Sequence, residues 1–88
     1  MNNLQIEYST NFAKDFKKLS PSKQQQAIKA EKIFKQNPFT PKLKTHKLSG
    51  NMKGLWSFSI NYSDRIIFEF IGEDKILFYR NGSHDIYK

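Results

Sequence analysis

Two histidines, two arginines and an aspartate carry most of the chemistry this chain has to offer. His46 lies in a basic stretch between Lys44 and Lys47, and Arg65 follows Asp64. Arg80 ends an alternating apolar run, and His84 stands beside Asp85 in a short polar tail with Tyr87. Histidine titrates near neutrality and can give or take a proton. Arginine presents a planar, permanently charged fork to phosphate oxygens. Together they suit metal-free RNA cleavage, in which a ribose 2′-hydroxyl attacks the neighbouring phosphate. One group takes its proton, another protonates the departing 5′-oxygen, and fixed positive charge steadies the phosphate as it becomes pentavalent. The spacing of Asp64, Glu73, Asp74 and Asp85 assembles no metal site, and turn solvation accounts for them. There is no Gly-rich phosphate loop and no nucleophile elbow.

The elements that must position these residues are legible from periodicity. Leu55–Ile60, Arg65–Ile71 and Lys75–Arg80 alternate with a period of two, which predicts three strands buried on one face and wet on the other. The links between them are Asn61–Asp64 and Gly72–Asp74, short enough to demand an antiparallel meander. In that arrangement Arg65 and Arg80 are expected to face each other at one sheet end, with His84 a turn beyond. Leu4–Tyr8 reads as a first strand with Leu4, Ile6 and Tyr8 inward. Ser9, Thr10 or Asn11 caps a helix with the stripe Phe12, Phe16 and Leu19. Ser20-Pro21 starts a second helix, running to about Gln36, with Ala27, Ile28, Ala30, Ile33 and Phe34 on its buried side. Asn37-Pro38 stops it. From Pro38 to Gly54 the pattern dissolves into a lysine-rich loop pinned by Leu43 and Leu48. Ser83 is placed to cap a turn containing His84 and Tyr87. The expected fold is α+β, in the order β-α-α-β-β-β. A helical hairpin packs on one face of a mainly antiparallel four-stranded sheet, in a single domain over residues 1–88.

Composition narrows the function classes. A chain of 88 residues has room for one small core, which its eight Phe, four Tyr and single Trp supply. It has no Cys, which excludes a disulfide framework and a cysteine-rich zinc site. No segment approaches the roughly 20 apolar residues of a membrane span, so the expected setting is soluble and cytoplasmic. The net charge is +7, and no acidic residue occurs between Glu31 and Asp64. That one-sign interval holds Lys42, Lys44, Lys47 and Lys53, which with Arg80 form the expected surface for RNA or ribosome.

The stretch Lys44-Thr45-His46-Lys47-Leu48-Ser49-Gly50, the segment Gly54-Leu55-Trp56-Ser57, the run Asp64-Arg65-Ile66-Ile67-Phe68 and the ending Gly82-Ser83-His84-Asp85-Ile86-Tyr87 carry a resemblance. With the element order, they make the chain similar to the RelE/ParE superfamily of bacterial toxins from type II toxin–antitoxin systems, nearest its RelE/StbE and YafQ-like branch. The resemblance implies a microbial RNase-like, RelE-type fold. It also implies cleavage of mRNA in the ribosomal A site without a cofactor, and neutralisation by an acidic antitoxin encoded alongside. Residue by residue, it implies catalytic parts for His84, Arg65, His46, Asp64 and Tyr87. Two departures leave the general base open. Ile60 stands where a second YafQ-like histidine is expected, and Ser57 and Ser59 stand where RelE itself carries catalytic lysines. The same fold also serves ParE-like gyrase inhibitors and inactive binding modules, and only the site separates these.

Overall fold

The computed structural model describes residues 4–87, the side chain of His84 excepted. Two helices pack on a five-stranded sheet. The strands are β1 (Gln5–Tyr8), β2 (His46–Lys47), β3 (Trp56–Ser59), β4 (Arg65–Phe70) and β5 (Lys75–Gly82), and the helices are α1 (Thr10–Lys18) and α2 (Pro21–Gln36). Across the sheet the order is β1-β5-β4-β3-β2. β1 runs parallel to β5, and the other pairs are antiparallel.

The helices begin where the capping residues dictate. Ser9 Oγ accepts from the Phe12 amide at 2.9 Å and donates to the Tyr79 carbonyl at 2.7 Å, which fixes α1 to β5. Ser20 Oγ accepts from the Lys23 amide at 3.3 Å, with Pro21 in the first turn of α2. Phe34 of α2 is the hub of the core. Its ring lies 4.7 Å from Phe58, stacked, and 4.9 Å and 5.5 Å from Phe68 and Phe78, edge-on. All four rings are fully buried. These are the offset-stacked and T-shaped arrangements that the ring quadrupole favours.

The structure corrects the expected architecture at four points. The sheet has five strands, because His46–Lys47 pairs with β3 inside the lysine-rich stretch. That stretch also contains two short 3-10 turns, Pro41–Leu43 and Gly50–Met52, the first anchored by buried Leu43. Ile28 is 40% exposed rather than inward, and Tyr8, whose ring faces inward onto Phe12 and Phe78, stays 49% exposed and donates its hydroxyl to Glu31. The second face of the meander is not wet at its centre: Ser57 and Ile67 are fully buried. A last 3-10 turn, His84–Tyr87, folds the tail back there.

Candidate active site

Strand pairing assembles one face residue by residue. His46 stands opposite Ser57, Ser57 opposite Ile67, and Ile67 opposite Arg80. In the next row Ser59 stands opposite Arg65, and Arg65 opposite Gly82. Directly opposed residues of antiparallel strands project to the same side. His46, Ser57, Ser59 and Arg65 therefore share the face turned away from the helices. The tail closes over it. Tyr87 Oη and Ser57 Oγ share a hydrogen bond of 2.7 Å, and Ile86 is buried. The reversal requires glycine at 82, where a Cβ would lie 2.8 Å from Ile86 Cγ2. The Ser83 hydroxyl donates to Asp85 within the turn. His84 opens this turn, and its side chain lies outside the described residues.

His46 is exposed, with Nδ1 2.9 Å from the Lys44 carbonyl oxygen. A carbonyl only accepts, so in the neutral ring Nδ1 carries the hydrogen and Nε2 keeps its lone pair. The contact is made possible by Lys44, the one non-glycine among the described residues with a left-handed backbone (φ 54°). Such a conformation is uncommon for lysine and here turns its carbonyl back onto the histidine.

Arg65 opens β4 with its guanidinium folded onto the β3–β4 turn. Nη1 donates to the carbonyls of Asn61 (3.0 Å), Tyr62 (3.2 Å) and Asp64 (3.0 Å). The turn is itself braced. Asn61 Oδ1 accepts from the amides of Ser63 and Asp64, and its Nδ2 donates to Asp64 Oδ2. Asp64 is buried and pairs with Lys23 of α2 at 3.2 Å. Its carboxylate thus faces the helices, opposite to the side on which Tyr87 meets Ser57. Beside this turn a groove of about 930 Å³ is lined by Lys29, Lys42, Lys44 and Arg65, with no carboxylate among its described lining residues.

The remaining cations are dispersed. Arg65 and Arg80 do not face each other directly: Gly82 lies opposite Arg65 and Ile67 opposite Arg80, and a bulge at Tyr79 displaces the register. Arg80 instead forks onto Asp15 of α1, Nε at 2.7 Å and Nη2 at 3.2 Å. Partial burial pushes the Asp15 carboxyl up. The Arg80 hydrogen bond, the Asn81 amide and the charges of Arg80 and Lys18 outweigh it and hold the carboxyl below the ordinary carboxylate range. Lys47 lies over the Trp56 ring on the opposite side of the sheet from His46, and Lys53 follows the Gly50–Met52 turn, exposed.

Two contributors are not legible in the sequence. Ser57 stands out there only as a departure from a family pattern, yet it is the residue Tyr87 meets. Lys29 reads as one more solvated helix lysine, and nothing in its spacing says that this flank of α2 adjoins the β3–β4 turn.

Residues 4–87 match the family model described as the bacterial toxin of type II toxin–antitoxin system, YafQ, and the chain belongs to that family. Among solved structures it is similar to the YoeB/ParE toxin from Agrobacterium tumefaciens, at 18% identity and TM-score 0.78, over 92% of this chain and 99% of that one. YafQ from E. coli strain BL21(DE3) is 21% identical with TM-score 0.71, over 97% and 98%. YafQ in the E. coli DinJ-YafQ toxin-antitoxin complex is 24% identical with TM-score 0.69, over 96% of each chain. No curated protein matches the sequence. Among the described residues, no helix is long and apolar enough to cross a membrane.

Proposed function

We propose that this toxin is an endoribonuclease that cuts mRNA in the ribosomal A site by attack of the ribose 2′-hydroxyl. The single observation that carries the reading is the shared face of His46, Ser57 and Arg65 under the returning tail. His46, with Nε2 unprotonated, takes the 2′-hydroxyl proton. Arg65 offers its remaining guanidinium hydrogens to the phosphate as negative charge grows there. His84 protonates the 5′-oxygen, completing the acid–base pair. Tyr87 shapes the site through Ser57 and offers its ring to a base. Asp64 acts by holding the turn from which Arg65 projects. Lys42 and Lys44, with Lys29, guide the RNA backbone along the groove, and Lys47 and Lys53 add long-range attraction, whereas the charge of Arg80 is neutralised by Asp15.

The partner follows from charge and shape. A basic toxin surface calls for an acidic antitoxin, unfolded alone and ordered on binding. An apolar groove of about 390 Å³ between α1 and α2, lined by Phe12, Phe16 and Ile28, offers a seat for one of its helices. Support for an antitoxin comes from the DinJ complex of the E. coli relative. The gyrase-inhibitor alternative draws no support from the family match. Single-turnover cleavage on programmed ribosomes is the test. Intact mRNA with wild-type toxin, alongside inhibited gyrase, would overturn the reading.

A further inference from the structure

The helix-facing side of β2 and β3 carries an aromatic surface that the cleavage chemistry leaves unused. Trp56, the only tryptophan in the chain, stands opposite Lys47, whose Nζ lies 5.6 Å from the ring centre. Phe39 and Phe70 meet Trp56 edge-on at 5.6 Å and 5.3 Å. The rings of Phe39 and Phe70 are within 18° of parallel. Phe39 is 50% exposed and Phe70 37% exposed. A contiguous apolar patch of this kind on a small domain marks an interaction surface.

Three features select the occupant. Lysine is depleted at the centre of protein–protein interfaces, whereas here Lys47 sits directly over the largest ring. The interval from Lys32 to Ser63, which supplies Phe39, Lys47 and Trp56, contains no carboxylate to repel a polyanion. Exposed flat rings beside a cation accept the π-face of any unpaired base. We propose that Phe39, Trp56, Phe70 and Lys47 form a stacking platform for an unpaired nucleobase of single-stranded RNA, with Lys47 taking the adjoining phosphate. β2 is an edge strand, and its consecutive residues His46 and Lys47 project to opposite faces. An RNA strand passing round this edge reaches the platform on one side and the catalytic face on the other.

The test uses the whole toxin and a uridine dodecamer with 2′-O-methyl riboses throughout, which binds without being cut. Binding is read from Trp56 emission, separately from cleavage. Saturable quenching is expected. Phe39→Ala should weaken binding about tenfold, the scale of one base stack. Phe39→Leu, which keeps apolar packing but removes the flat ring, should weaken it nearly as much. Lys47→Gln should lower the log–log salt slope by about 0.7. No quenching, unchanged affinity in Phe39→Leu, or equal quenching by polyglutamate would overturn the platform. Equal quenching by polyglutamate would identify the patch as a seat for an acidic polypeptide. Normal oligonucleotide binding without mRNA cleavage would count against the nuclease reading alone.

Discussion

Tyr87 and Ser57, thirty positions apart, share a 2.7 Å hydrogen bond that fastens the C-terminal turn to the centre of the sheet. Tyr87→Phe should cost about 1 kcal/mol in stability. Ser57→Ala should cost a similar amount, and the double variant should be less destabilised than the sum, because both remove one interaction. Urea melts of the four proteins measure this. Additive losses would mean that the bond contributes nothing to holding the tail.

His84→Gln should lower single-turnover cleavage on programmed ribosomes by roughly 10²–10⁴-fold while leaving ribosome binding intact. His46→Gln should also slow cleavage, with a smaller loss if Lys44 shares the work of the base. A stable His84 variant that binds and cuts at the wild-type rate sinks the general-acid assignment.

Gly82→Ala probes the tail without touching a catalytic group. The new methyl would meet Ile86 Cγ2 at 2.8 Å, and Ile86 is buried with a stiff, β-branched side chain. The expected outcome is a loss of about 1–3 kcal/mol, the usual cost of overpacking, together with slower cleavage as the His84 turn is displaced. Wild-type melting and cleavage would show that the turn moves aside at no cost.

The Asp15–Arg80 pair gives the fold a pH signature. A carboxyl whose folded-state pKa lies below its unfolded value contributes fully above the unfolded value, and the contribution fades as pH falls through the folded one. Stability should therefore decline on acidification below about pH 4. Asp15→Asn should lose about 1–2 kcal/mol at neutral pH, a figure moderated by the 39% exposure of Arg80, and should show a shallower acid limb. Thermal melts across the pH series check both the sign and the window.

Replacing Lys29, Lys42 and Lys44 by glutamine should weaken ribosome or RNA binding at low salt. For every lysine that neutralises a phosphate in the wild type, its replacement should lower the log–log salt slope by roughly 0.7–0.9. An unchanged slope would reduce the groove to a solubilising surface.

Much of the architecture is local in origin. The alternation of Trp56, Phe58 and Ile60, the stripe of Phe12 and Phe16, and the Ser20-Pro21 start each act within a few residues, so they can be read without a partner in view. Phe34 as a buried helix residue follows in the same way. The two residues of β2 do not, because a strand that short has no periodicity to detect. Ile28 fits the apolar stripe of α2 yet stays exposed, since α1 and the sheet leave that flank uncovered.

By itself the sequence determined which side chains exist to do chemistry, that Arg65 and Arg80 lie on strands, and that the surface is cationic. Only the tertiary structure decided where those side chains point. Asp64 turns to Lys23, Arg80 to Asp15, and Ser57 to Tyr87. The first depends on how α2 packs beside the β3–β4 turn, the second on how α1 packs on β5, and the third on the way the tail folds back. These are set by packing of the whole core, and spacing along the chain does not encode them.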